Sequence, residues 1–190
     1  MSIMNDKWIM EQAAAGMIDP YAAYQVTSDK DNNRLISYGV SSFGYDMRVA
    51  DEWAIYDPQS GHQRHVIDPK NLPNTFSWKA NDILIEPNKF VLCRSLERFK
   101  IPEDVVCIVV GKSTYARCGL IVNVTPLEPC WEGHITIELS NTAEYPIRVY
   151  ANEGIAQILF YKGERPATTY ADRHGKYQNQ VGIVLPRMKD

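Results

Sequence analysis

The sequence predicts an all-β domain, a sandwich or barrel, opened by one short helix. Three observations carry that prediction. Helical periodicity stops at Gly16. Beyond it, short apolar runs recur, separated by Pro, Gly, Asn and Asp. One of these runs, VVCIVV at 105–110, is nearly all β-branched, the pattern of a strand buried on both faces.

The elements follow in chain order. Residues 7–15 place Ile9, Met10, Ala13 and Ala14 at roughly helical spacing, with Asn5 or Asp6 as the cap and Gly16 as the stop. A strand at 83–85 ends at the turn Glu86-Pro87-Asn88, and another follows at 90–93. Further strands are expected at 105–110, 120–124, 134–139, 147–150 and 155–161. The stretch 170–190 is polar, with Lys176, Gln178, Asn179 and Gln180, and reads as a tail that needs a surface to lie on. No repeat, low-complexity tract or linker interrupts the chain, so residues 1–190 read as one domain.

Composition sets the outer limits. With 190 residues and 45% hydrophobic content, the chain can bury a sizeable core. Its 20 basic and 23 acidic side chains leave a net charge of −3, which argues against duplex nucleic acid as a partner. An anionic ligand would need a local cluster of positive groups. Cys93, Cys107, Cys118 and Cys130 form no C-x-x-C pair and no metal-ligand spacing. Three of them sit in or beside apolar runs, as reduced core thiols do. No cleavage signal opens the chain, and no run approaches the roughly 20 apolar residues of a membrane span. A cytoplasmic protein with no membrane partner is expected.

GKSTYARCG at 111–119 looks like the end of a P-loop. The residue five before Gly111 is Val106, not glycine, and no long amphipathic helix follows, so that reading fails. The stretch still has phosphate-binding chemistry: Lys112 and Arg117 bring charge, Ser113 and Thr114 hydroxyls, and one helical turn from Ser113 would aim free N–H groups at an anion. A surface turn with solvated charges fits the same residues equally well.

HITIELS at 134–140 alternates strictly. Ile135, Ile137 and Leu139 share one face, and Thr136, Glu138 and Ser140 the other. On an ordinary strand Glu138 would lie in water. The neighbouring runs are so apolar that the second face can be covered too, and enclosure would raise its pKa towards about 6–7, where a carboxyl shuttles protons near neutrality.

GKSTYARCGLIVNVTPLEPCWEGHITIELSN at 111–141 resembles the heart of the zinc-independent dCTP deaminases of the dUTPase-like superfamily. The likeness continues in SYGVSSFGYDMRV at 37–49, RSLERFKIPEDV at 94–105, ANEGIAQILF at 151–160 and GKYQNQVG at 175–182. The resemblance implies a distorted β-barrel or jelly roll, a homotrimer with sites between subunits, and hydrolysis of dCTP to dUTP and ammonia. It implies a nucleotide bound as its Mg2+ complex and no zinc; the H-x-E…P-C-x-x-C signature of zinc deaminases is absent. No residue is assigned to a metal.

Carried over residue by residue, Glu138 matches the catalytic glutamate. Arg117 matches an arginine beside it that would keep it ionised and orient the water. Ser113 matches a serine that contacts water and phosphate, and Lys112 the basic residue of a phosphate cradle that Thr114 adjoins. Glu128 matches an acid near the deoxyribose 3′-hydroxyl. Backbone groups between Val124 and Thr136 would read the base. Tyr170, Lys176 and Gln180 match residues of a tail, 170–190, that closes over the nucleotide. Relatives sharing P-L-E-P usually carry Glu, and others Gly, where this chain has Cys130. Feedback inhibition by dTTP is common in the family.

Three alternatives remain. One is a dUTP diphosphatase, which usually has an apolar residue where Glu138 stands. Another is a bifunctional deaminase that releases dUMP. The third is an idle nucleotide-binding scaffold, against which the intact Ser113, Arg117 and Glu138 set argues. Release of dUTP would supply dUMP for thymidylate synthesis.

Overall fold

The structure is a computed structural model that describes residues 1–57 and 66–188. It opens with β1 (Ser2–Ile3) and helix α1 (Asp6–Ala14). The Asn5 side chain caps the helix by accepting from the Trp8 N–H at 3.2 Å, and the chain turns at Gly16 with φ +95°. Next come β2 (Ile18–Asp19), β3 (Val26–Ser28), β4 (Arg34–Ser41), β5 (Gly44–Tyr56), β6 (Thr75–Lys79), β7 (Asp82–Ile85) and β8 (Phe90–Lys100). The second half holds β9 (Val105–Gly111), the short helix α2 (Ser113–Ala116), β10 (Leu120–Asn123), β11 (Glu132–Asn141), β12 (Ile147–Tyr150) and β13 (Gly154–Lys162). The predicted all-β class and the single leading helix are both present.

An 11-stranded sheet runs β1-β13-β5-β8-β11-β10, with β2, β3, β4, β6 and β9 attached along it; β7 and β12 pair separately. The sheet curls because β5 changes partners along its length. Its first half pairs with β13 and β4, and its second half with β8 and β6. A register irregularity between Val49 and Trp53 marks the bend. The result is a curled half-barrel. Trp53, Tyr45, Phe99 and Phe160 fill it, and Trp8 of α1 packs on Phe160 at 5.9 Å. Among the described residues no helix is long and apolar enough to cross a membrane.

β5 was not legible as a strand because it carries Asp46, Arg48 and Glu52 among its apolar residues. Each is neutralised by a residue distant in sequence. Lys112 Nζ reaches Asp46 Oδ2 at 2.7 Å, and Arg94 grips Glu52 through Nε and Nη2 at 2.8 and 3.0 Å. Arg48 Nε donates to Glu97 Oε1 at 2.7 Å, and Glu97 is fully buried. Burial pushes the Glu97 carboxyl up while Arg48 pulls it down.

One expectation is overturned. Residues 105–110 do form β9, but not buried on both faces: Val105 and Cys107 are buried, whereas Ile108 and Val110 are 37% and 41% exposed. β9 pairs with β13 as a strand and bridges Leu127 at Cys107, and among the described residues its second face, with Ile108 and Val110, is only partly covered. Among the thiols, Cys93 and Cys107 are buried as expected, Cys118 is exposed, and all four are free.

Candidate active site

Strand β11 organises the site. Ile135, Ile137 and Leu139 enter the core, while Thr136 and Glu138 face a cavity of about 470 Å³. The alternation read from the sequence is therefore the one that folds. Tyr56 of β5 and Phe90 and Leu92 of β8 line the same cavity, with Val124 to Glu128 of the loop after β10 forming another wall. Trp131, Ile135 and the tail residues Tyr170, Tyr177, Gln180, Val184 and Pro186 complete it. No Lys, Arg or His lines it among the described residues.

Glu138 sits half-buried in this apolar setting. Burial pushes its carboxyl up from 4.5 to about 7, opposed by a hydrogen bond from Asn123 Nδ2 to Oε2 at 3.2 Å. Glu128 lies in the same cavity and is ion-paired with Arg173.

The polar tail finds its surface on β11; of the stretch 170–190, the last two residues lie outside the described range. Gln180 pairs with Gly133, and His134 N–H donates to Gln180 O at 3.0 Å. Val184 N–H donates to Thr136 Oγ1 at 3.1 Å, and Trp131 Nε1 to Tyr177 O at 3.0 Å. Gly133 has φ +148°, and a Cβ there would stand 2.9 Å from the Gln180 backbone, so the latch needs glycine on both counts. Gly175 is needed for space: its Cβ would lie 2.0 Å from the Tyr170 ring. Lys176 points away, donating to Arg187 O at 2.7 Å, and does not line the cavity. His134 sits behind the latch, its pKa lowered by burial and by Arg94.

Thus Glu138, Glu128, Thr136, Tyr170 and Gln180 come together. The GKST group does not join them within one chain. Ser113 and Thr114 on α2 and Arg117 just after it are exposed, and Arg117 Nη1 makes a 3.4 Å contact to Ser113 O. Lys112 is held by Asp46. None of the four lines the cavity, and no ion pair joins Arg117 to Glu138 among the described residues. Also among the described residues, no cluster of three His, Cys, Asp or Glu is arranged to hold a metal ion. Sequence reasoning missed Asn123, Tyr56 and Tyr177. Nothing in their local patterns separates them from ordinary strand and tail residues. Cys130, the departure from the family pattern, adopts φ +65°, and its carbonyl accepts from Gln178 Nε2 at 2.9 Å.

Fold and site together define a curled β-domain with a carboxylate in a tail-covered cleft. Residues 3–163 match the family model described as dCTP deaminase-like. The dCTP deaminase of Acidobacterium capsulatum is 52% identical over 191 residues, covering 99% of this chain and all of that one. That of Herpetosiphon aurantiacus is 53% identical over 192 residues, again covering 99% and 100%. A dCTP deaminase of Acinetobacter baumannii is 50% identical, over 98% of this chain. Among solved structures, the 2′-deoxycytidine 5′-triphosphate deaminase from Agrobacterium tumefaciens shares the fold, with a TM-score of 0.61 at 20% identity, over 85% of this chain and 48% of that chain. The chain belongs to the dCTP deaminase-like family.

Proposed function

We propose that the protein hydrolyses dCTP, taken as its magnesium complex, to dUTP and ammonia. The observation that carries this reading is Glu138: a half-buried carboxyl that burial pushes up to about 7, in a cleft lined, among the described residues, by no Lys, Arg or His. Full-length relatives about 50% identical that bear the name dCTP deaminase support it.

In this mechanism a water adds to C4 of the cytosine while Glu138 accepts its proton. Glu138 passes that proton to the ring nitrogen N3. A second transfer, from the added hydroxyl through Glu138 to the amino group, releases ammonia as the C4–N bond breaks. The oxygen stays on the ring, giving uracil. A carboxyl with a pKa near the working pH suits both directions of transfer, a contribution typically of about 10²–10⁴-fold. The tail residues Tyr170, Tyr177 and Gln180 would exclude bulk water, which strengthens each polar contact inside. Glu128 would meet the sugar 3′-hydroxyl.

The separation of the GKST group from the cleft supports a site shared between copies in a homotrimer. A neighbouring α2 would bring Lys112, Ser113, Thr114 and Arg117 to the phosphates and to Glu138, and the exposed β9 face with Ile108 and Val110 offers apolar surface to bury. Lys176 would leave its contact with the Arg187 carbonyl and turn inwards to the phosphates.

The test is product analysis with dCTP or dUTP plus magnesium, with and without dTTP. Ammonia from dCTP without pyrophosphate is expected. Pyrophosphate from dUTP alone would replace this reading with a diphosphatase, both products from dCTP with a bifunctional enzyme, and neither with a scaffold.

A further inference from the structure

At the rim of the cleft, exposed and outside its lining, stands a polar side chain to which neither the family pattern nor the mechanism above assigns a task. Asn123 is the last residue of β10, and its Cα partner across the strand pair is Glu138 itself. The residues before it pair in step, Val122 with Leu139 and Ile121 with Ser140, so the register of two strands fixes the Asn123–Glu138 apposition. From there Nδ2 donates to Glu138 Oε2 at 3.2 Å. Directly after Asn123 the chain leaves the strand to form the cavity wall at Val124, Thr125 and Pro126.

We infer that Asn123 is a positioning residue for Glu138: its amide holds one carboxylate oxygen and favours the ionised, proton-accepting form at the start of the reaction. This rests on the proposed deamination for its catalytic meaning, but the hold itself is a property of the free protein.

Charge and chemistry around the carboxylate make the amide matter. The titratable groups that face it are Tyr56 from β5, Cys93 from β8, Glu128 from the loop after β10, and Tyr170 and Tyr177 from the tail. None of these side-chain types has a cationic form, so among the described residues none of the titratable groups lining the cleft favours an ionised Glu138. An amide donor does, and it does so without titrating, so its orientation is the same at every working pH. An aspartate of the same shape would accept rather than donate and would add a like charge.

Two readouts test this. Carboxyl 13C NMR titration of Glu138, with the resonance identified by its loss in Glu138→Gln, follows the free protein. The acid limb of the pH profile of kcat/KM for ammonia release follows the reaction. Asn123→Ala is expected to raise both midpoints by about one pH unit. At the wild-type midpoint the ionised fraction then falls from half to about one-tenth, so kcat/KM drops roughly fivefold and recovers about two units higher. KM changes little. Asn123→Asp should raise the midpoint further, and Asn123→Gln, which keeps an amide donor, should return it towards wild type. An Asn123→Ala protein with native circular dichroism and an unmoved NMR midpoint overturns the inference. If wild type releases no ammonia from dCTP, the deamination reading fails, while the NMR titration still decides whether Asn123 holds Glu138.

Discussion

Replacing Glu138 with Gln should stabilise the protein, and only at higher pH. In the fold the carboxyl is pushed from 4.5 to about 7 by burial. Between those values the folded protein keeps a proton here that the unfolded chain has released. Stability therefore falls as pH rises through this window, and the loss is complete above it. The shift of about 2.5 units corresponds to roughly 3.4 kcal/mol at 1.36 kcal/mol per unit. Glu138 is only half-buried, and water screens part of that, leaving about 1–2 kcal/mol. Glutamine is neutral, nearly isosteric, and can still accept from Asn123. Urea denaturation of wild type and Glu138→Gln at fixed protein concentration should give no difference at about pH 4.5 and a variant more stable by about 1–2 kcal/mol at about pH 8. In thermal melts the gain at the higher pH is about 2–8 °C. A guanidinium supplied by a neighbouring copy would favour the ionised form and shrink the gain; an Arg117→Met background restores it. A difference that is the same at both pH values in that background, or a variant less stable at pH 8, refutes the enclosure on which the chemistry depends. The same variant should bind dCTP and lose turnover, as a destabilising group kept for function does.

Gly175→Ala drives a methyl group into the Tyr170 ring, costing about 1–3 kcal/mol in denaturation and raising KM for dCTP about tenfold by displacing the tail; unchanged kinetics would detach Tyr170 from the site. Arg48→Met leaves the fully buried Glu97 without its partner and should cost about 3–5 kcal/mol in urea unfolding, with a loss under 1 kcal/mol counting against the pair as a structural link. Cys130→Gly, at φ +65°, should lie between neutral and a gain of about 1 kcal/mol, whereas Cys130→Val should lose about 1–2 kcal/mol; the reverse order by thermal melting would contradict the left-handed backbone there.

The fold class, the capped helix, most strands of the second half and the face on which Glu138 projects were all legible in the residue pattern. These depend on short-range periodicity and turn chemistry, which a linear chain displays directly. It also carried the motif set that marks the family. Contacts between residues far apart in the chain set the rest, which periodicity cannot encode. β5 is a strand because Lys112, Glu97 and Arg94 satisfy its charges from far along the chain. β9 keeps a partly exposed apolar face because what packs over a strand, not the strand's own composition, determines which of its faces are covered. Asn123 meets Glu138 through the register of two strands, and Arg117 stays outside the cleft of its own chain. Local residue patterns set each element's faces, but only long-range packing sets the neighbours of each face, and the chemistry of a carboxylate is governed by its neighbours.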